Sequence, residues 1–311
     1  MKHYFIVLLL LLCSCQNQSN RFLNVQNDID YIGLNQCASC HSSQYESFIQ
    51  TGMGKSFRPA LKQNSSAIFN KKLYDDSTFF WYNPIWEDDS LYIEEYSLNN
   101  GDTMHYLKAH VDYIIGSGHH TNSHLISNNG YLYQAPFTYY VQDSILDFPP
   151  GFEDNQNTRF SRKMGLECVA CHNAFPDFVL GSENKYQYLP NGIDCERCHG
   201  PGLLHVKNIS KGNIIDTSKH IDYSIVNPKH LSIELQNDIC ARCHLQGNSV
   251  LQPDKSFFDF KPGMYLSEVM DVYLPRFSGG ENDFIMASHV DRMKLSECYI
   301  SSNEAMSCIN C

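Results

Sequence analysis

The pattern of apolar and polar positions changes character several times along the chain. At the amino end Phe5 to Leu12 form an unbroken apolar stretch, preceded by Lys2 and His3 and followed by the polar run Gln16 to Asn20. The stretch is too short to span a bilayer comfortably, so it predicts an export signal rather than an anchor helix. Tyr45, Phe48 and Ile49 stand at i, i+3, i+4 and predict a short amphipathic helix that ends near Gly52. A Ser/Asn-rich link from Gln63 to Asn70 leads out of it. Between Lys72 and Val141 the composition turns to strand-formers. Thr78 to Tyr82, Leu91 to Leu98, Thr103 to Leu107 and Tyr131 to Val141 predict an antiparallel meander, with turns at Asn99-Asn100-Gly101 and Asn128-Asn129-Gly130. Pro149-Pro150-Gly151 closes this stretch, and beyond Arg159 periodicity fades except at Ser232 to Cys243, where Ile233, Leu235 and Ile239 predict a helix. No solenoid-length repeat or coiled coil is present.

Charge and hydropathy narrow the class. The chain has 311 residues, with 23 basic against 34 acidic side chains and a formal charge of -11, which rules out a basic nucleic-acid binder. A mean hydropathy of -0.36, without an internal apolar run of membrane-spanning length, rules out a polytopic membrane protein. Leu12, Ser14 and Cys15 are similar to the lipobox of bacterial lipoproteins. Cys15 is then the expected lipidation site and first residue of a mature chain exported to the periplasm or outer-membrane face, where the lipid holds it to a membrane. An ordinary signal peptide with incidental cysteines is the plainer alternative.

The 13 cysteines fall into an order. Four pentapeptides share one pattern: Cys37-Ala-Ser-Cys40-His41, Cys168-Val-Ala-Cys171-His172, Cys195-Glu-Arg-Cys198-His199 and Cys240-Ala-Arg-Cys243-His244. A fifth begins as Cys308-Ile-Asn-Cys311 and stops where its histidine is expected; the next residue of a longer chain is expected to supply it. Cys-x-x-Cys-His is the attachment signature of c-type haem, two thiols bonding the porphyrin vinyl groups while the histidine ligates iron. Zinc ribbons also use paired Cys-x-x-Cys units, but they have no use for a histidine after every second cysteine. With 14 histidines in the chain, four chance successes in four trials come to on the order of 4 × 10⁻⁶. A thioredoxin-like redox pair predicts one motif, not four or five. The sequence therefore predicts haem c at four complete sites and a fifth implied at Cys308 and Cys311, with His41, His172, His199 and His244 as proximal ligands.

An iron with axial ligands on both faces shuttles electrons, whereas an open face does chemistry on small molecules. Apart from His3 and the motif histidines, His105, His110, His119, His120, His124, His205, His220, His230 and His289 remain as distal candidates. His205 follows the rigid turn Gly200-Pro201-Gly202. His120 follows Gly116-Ser117-Gly118, with His119 beside it as a competitor, and His289 precedes the fifth motif. Arg197 and Arg242 are placed either to pair with propionates or to be solvated.

These pieces in order resemble the cytochrome c-552/4 (cytochrome c554-related) multihaem family. The residues concerned are the first motif with Tyr45 and Phe48, Val111 to Gly118, Cys168 to His172, Cys195 to Gly202 with His205, and Ser296-Glu297-Cys298 before Cys308. More narrowly they resemble its exported branch that often carries tetratricopeptide repeats. The resemblance implies electron transfer, His120 and His205 as distal ligands, and further sequence beyond Cys311. It is broken at Met53, where relatives often place a histidine; Gly52 and Gly54 beside it make a methionine ligand one reading and core packing the other.

The expected fold class is α+β, a multihaem cytochrome c with a haem-filled core, short helices and an inserted antiparallel β meander. The expected divisions are a signal peptide over 1–14, a first haem-binding segment over 15–60, a β-rich insert over 61–150 and a haem-cluster domain over 151–311. The leading function is electron transfer between redox partner proteins of the envelope. A catalytic oxidoreductase on a small nitrogen or sulfur compound is the runner-up, and a scaffold that binds partners through further repeats is the third.

Overall fold

The computed structural model describes residues 22–26, 28–153, 155–245, 247–273 and 288–310. The expected signal segment, Cys15 and Cys311 lie outside them. Three short helices open the described chain, α1 (Leu23–Gln26), α2 (Leu34–Ala38) and α3 (Ser42–Phe48). Nine strands follow: β1 (Phe57–Pro59), β2 (Leu73–Asp75), β3 (Phe80–Glu87), β4 (Ser90–Asn99), β5 (Asp102–Val111), β6 (Tyr113–Ile115), β7 (Thr121–Asn128), β8 (Tyr131–Tyr140) and β9 (Ile145–Asp147). The last part holds α4 (Leu166–His172), β10 (Asp177–Phe178), β11 (Tyr186–Tyr188), α5 (Glu196–His199), α6 (Leu203–Ser210), α7 (Ile233–Ala241), β12 (Asn248–Leu251), β13 (Met270–Tyr273), α8 (His289–Lys294) and α9 (Glu297–Ser301). This is a mixed α+β fold of short helices and antiparallel sheets. Among the described residues no helix is long and apolar enough to cross a membrane.

The expected meander is two sheets rather than one. β2-β3-β4-β5 form one, and β1-β6-β7-β8-β9 the other. The predicted turns are where they were expected: Asn100 and Gly101 have φ of 52° and 92°, Asn129 and Gly130 of 50° and 83°. Left-handed backbone at both central residues makes each a tight two-residue hairpin whose twist matches its strands. β6 and β7 escaped the sequence pattern because β7 buries polar side chains, Asn122 and His124, where alternation calls for apolar ones. Leu73, Tyr82, Leu91, Ile93 and Val111 from the first sheet pack with Ile114, Ala135, Phe137, Tyr139 and Leu146 from the second.

One buried charge sits in this core. Glu95 on β4 has no exposed surface and receives Arg159 Nε at 2.9 Å, a second contact from Arg159 Nη2, and His105 Nε2 at 2.9 Å. Deleting the arginine strands a carboxylate in the interior, whereas deleting the glutamate leaves Arg159, which reaches solvent. Arg159→Ala is therefore expected to cost about 3 kcal/mol and Glu95→Gln less, an order that urea unfolding of the two variants checks.

The carboxy-terminal half carries its own side-chain core, in a region where the sequence predicted porphyrins as filler. Phe22, Val226, Leu231, Leu235, Ile239, Phe260, Leu266, Val269 and Met270 are buried together. α7 begins as expected, the Ser232 hydroxyl accepting from Leu235 N–H as an N-cap. A third cluster, with Phe57, Leu125, Leu132, Met164 and Val169, joins the five-stranded sheet to α4.

Candidate functional site

Every complete Cys-x-x-Cys-His stretch folds as one helical turn. Cys37, Cys195 and Cys240 each offer their carbonyl to the N–H groups three and four residues on. The histidine N–H closes at 2.9 Å for His41, 3.0 Å for His199 and 2.8 Å for His244, and Cys168 to His172 lie within α4. A turn of this kind puts residues i and i+3 on one face, so the spacing presents both thiols of each motif to the same side.

The turns meet in pairs that do not follow chain order. The Cys37 thiol neighbours Cys195, Cys171 neighbours Cys243, and Cys240 neighbours Cys308. The neighbouring thiol, with burial behind it, pushes Cys37, Cys171 and Cys240 up from the usual thiol range, while Cys195, Cys243 and Cys308 are held down. Burial also raises Cys168, to about 11, and Cys198. The Ala170 carbonyl in the second motif accepts from Arg197 Nη2 at 2.6 Å and from Cys243 Sγ at 3.9 Å, so three motifs converge there.

The imidazoles divide into distinct environments. His199 Nδ1 lies 2.8 Å from the Val226 carbonyl, which only accepts, so Nδ1 carries the proton and Nε2 keeps its lone pair. His205 Nδ1 is oriented likewise by Asp222 Oδ2 at 2.8 Å. Burial pushes the Asp222 carboxyl up, but hydrogen bonds from Ser224 and His205 outweigh it and hold it low. The rings of His41 and His205 face each other at 6.5 Å between centroids, with planes 23° apart. His244 and His289 meet at 3.2 Å between Nδ1 atoms. His172 is half-buried, its enclosed Nδ1 has no hydrogen-bond partner, and desolvation lowers its pKa to about 4.

Three expected candidates are placed differently. His120 is exposed beyond β6, and it is His119 that lines a cleft of about 550 Å³ with Tyr45, Ile49 and Arg58. The Met53 side chain is 43% exposed, and its backbone carbonyl is engaged by Ser56 and Ile193. His124 lies wholly buried in the β core, stacked on Phe137 at 4.2 Å.

Two motif side chains do more than the sequence indicated. Arg197 is 1% exposed, its guanidinium lies over Phe175 and Phe258, and its Nε and Nη1 have no hydrogen-bond partner. Arg242 is also buried, with its Nε unmet, so neither is the solvated arginine of the plainer reading. Buried unpaired guanidinium N–H groups fit an acidic group between them. Glu196, passed over in the sequence, is 1% exposed and accepts backbone N–H groups of Ile32, Gly33 and Gly202 at 3.0, 2.7 and 2.8 Å. No local pattern signals it, because two of its three partners lie more than 160 residues away.

The expectation of haem c at four complete sites with a fifth implied is corrected. Among the described residues no group of three or more His, Cys, Asp or Glu side chains is gathered to hold a metal ion. Where the described motif side chains meet, they meet in twos, thiol with thiol and imidazole with imidazole or oxygen.

Residues 152–200 match the family model described as cytochrome c554 and c-prime. No curated protein matches. Among solved structures, the crystal structure of outer cell wall cytochrome OcwA is similar at 16% identity and a TM-score of 0.45, over 78% of this chain and 45% of that one. The undecahaem cytochrome from the S-layer of Carboxydothermus ferrireducens is similar at 16% identity and a TM-score of 0.32, over 73% of this chain. The chain spans less than half the length of either, 45% and 29%. The family model covers 49 of the 311 residues.

Proposed function

We propose that this chain is an electron-transfer protein of the c-type cytochrome kind, working outside the cytoplasm and held to a membrane through Cys15. The observation that carries the reading is the repeated turn: four Cys-x-x-Cys-His stretches fold alike and are brought together, first against third and second against fourth. When attached, haem supplies reversible one-electron exchange. The polypeptide's part is to present two thiols on one side of each turn and to place the Nδ1 proton of the imidazole, as the Val226 carbonyl does for His199 and Asp222 for His205, so that the neutral ring offers Nε2 to iron. Arg197 and Arg242 hold buried N–H groups ready for carboxylates. Close packing of the turns suits transfer between neighbours, and envelope redox proteins are the expected donor and acceptor.

His205 is the distal candidate that the geometry favours, because it faces His41 across a gap that admits one metal-centred group. His205→Ala is expected to convert a low-spin ferric signal to high spin in electron paramagnetic resonance, while His120→Ala leaves the spectrum unchanged. A purified exported protein without covalently bound haem, its motif thiols all titratable, would overturn the function. An unchanged spectrum in His205→Ala would overturn only the ligand assignment.

A further inference from the structure

The outward face of the four-stranded sheet carries side chains that electron transfer does not use. Strand register aligns Tyr74 with Trp81, Trp81 with Tyr96, and Tyr96 with Tyr106. One aromatic ring from each of β2, β3, β4 and β5 thus stands in a single row across the sheet. Neighbouring positions on the opposite face, Leu73, Tyr82, Ile93 and Glu95, are buried, so the row faces away from the core; Tyr74 is 39% and Tyr106 55% exposed. An antiparallel sheet with one packed face ordinarily turns polar residues outward, and a contiguous exposed apolar strip marks an interaction surface.

Polar groups are fixed along one side of the row. Tyr106 OH donates to Glu94 Oε1 at 2.9 Å, Asn83 Nδ2 to Glu94 Oε2 at 2.6 Å, and Lys72 Nζ to Tyr96 OH at 2.9 Å. Lys108 bonds Glu87 and lies over the Tyr92 ring. Lys72 and Lys108 balance Glu87 and Glu94, so the face is locally neutral on a chain of net charge -11. Nothing here attracts a polyanion or a cation. A neutral ligand with flat C–H faces and hydroxyl edges matches both the rings and the hydrogen-bonding groups.

We propose that this row binds a neutral β-linked polysaccharide in extended form. Strands about 4.8 Å apart set one ring per strand, a pitch comparable to the advance of one pyranose along such a chain. The Tyr74 and Trp81 ring centroids are 4.7 Å apart. The electropositive C–H bonds of a sugar face rest on the negative face of an aromatic ring, while Glu94, Asn83 and Lys72 meet hydroxyls at the edge. The site is independent of the thiol turns and stands or falls apart from them.

Full-length protein is to be co-sedimented with insoluble cellulose, chitin and xylan, and run in gels containing soluble β-glucan. Retention on at least one of them is expected. Tyr106→Ala and Trp81→Ala are each expected to weaken it about tenfold, and Tyr106→Phe to preserve it. Tyr106 lies at the sheet edge, so its variant keeps the fold, and circular dichroism checks Trp81→Ala. The proposal is overturned by absence of retention on every polysaccharide or by equal retention of both alanine variants. It is equally overturned if sedimentation velocity shows a dimer that Tyr106→Ala dissolves, since the face then belongs to a second copy.

Discussion

Acidification is expected to loosen the β sheets ahead of the helical half, and His124→Phe to remove that sensitivity. His124 lies wholly buried against Phe137 and Phe69, and burial depresses its pKa from 6.5 to about 3. Below pH 6.5 the unfolded chain takes up a proton that the folded chain refuses. Its contribution to stability is therefore complete above pH 6.5 and is lost progressively as pH falls towards 3. A gap of that size corresponds to about 5 kcal/mol over the whole range, and to about 2 kcal/mol by pH 5. In the helical half Asp194 acts the other way: burial raises it to about 6, so its contribution is complete below about pH 4 and declines as pH rises through 6. Half-buried His172, lowered to about 4 by desolvation, adds to the acid loss there. Urea unfolding at pH 7.5 and 5, followed by near-ultraviolet circular dichroism, measures the difference. The same acid loss in wild type and His124→Phe would show that another group governs it.

Glu196→Ala is expected to cost about 4 kcal/mol and to free the first thiol turn without unfolding the sheets. Each of its three backbone hydrogen bonds ends on a charged acceptor in a site closed to water, the kind worth about 1.5–3 kcal/mol before non-additivity is allowed for. Glu196→Gln keeps one acceptor oxygen and should fall between. Hydrogen exchange over residues 28–41 is the decisive measurement, since protection there should drop while that of β4 and β8 holds. Equal protection in wild type and Glu196→Ala would mean that Asn24, whose Nδ2 bonds the His199 and Pro201 carbonyls at 3.0 and 3.2 Å, suffices to hold the segment.

What the sequence made legible was what short range decides. The Asn-Gly turns, the strands they join, the α7 cap at Ser232 and the existence of the thiol turns all rest on residues within a few positions of each other. What escaped depends on distance along the chain. Nothing local says that Cys37 meets Cys195 or that Cys171 meets Cys243. Nothing local distinguishes His119 from His120, because a one-residue difference beyond β6 decides which faces the cleft. Nothing local separates His124 from the other eight histidines among the distal candidates. The sheet buries it at an irregularity in the β7–β8 pairing, opposite a stretch containing Pro136, which has no N–H to give the ladder.

The clamp around Glu196 also sets a timetable. The contacts that seat residues 24–33 on the third turn span 163 to 177 residues. Chains are made from the amino end at about 5–20 residues per second, so the first turn is synthesised roughly 10–30 s before its seat exists. Closing so long a loop is also a late event in any pathway. Cys37 and Cys40 are thus the earliest motif thiols to emerge and the longest exposed of them, whereas Cys171 waits only for the 73 residues that separate Ala170 from Cys243. Any enzyme that modifies these turns while the chain is still open has its widest opportunity at the first and a narrower one at the second.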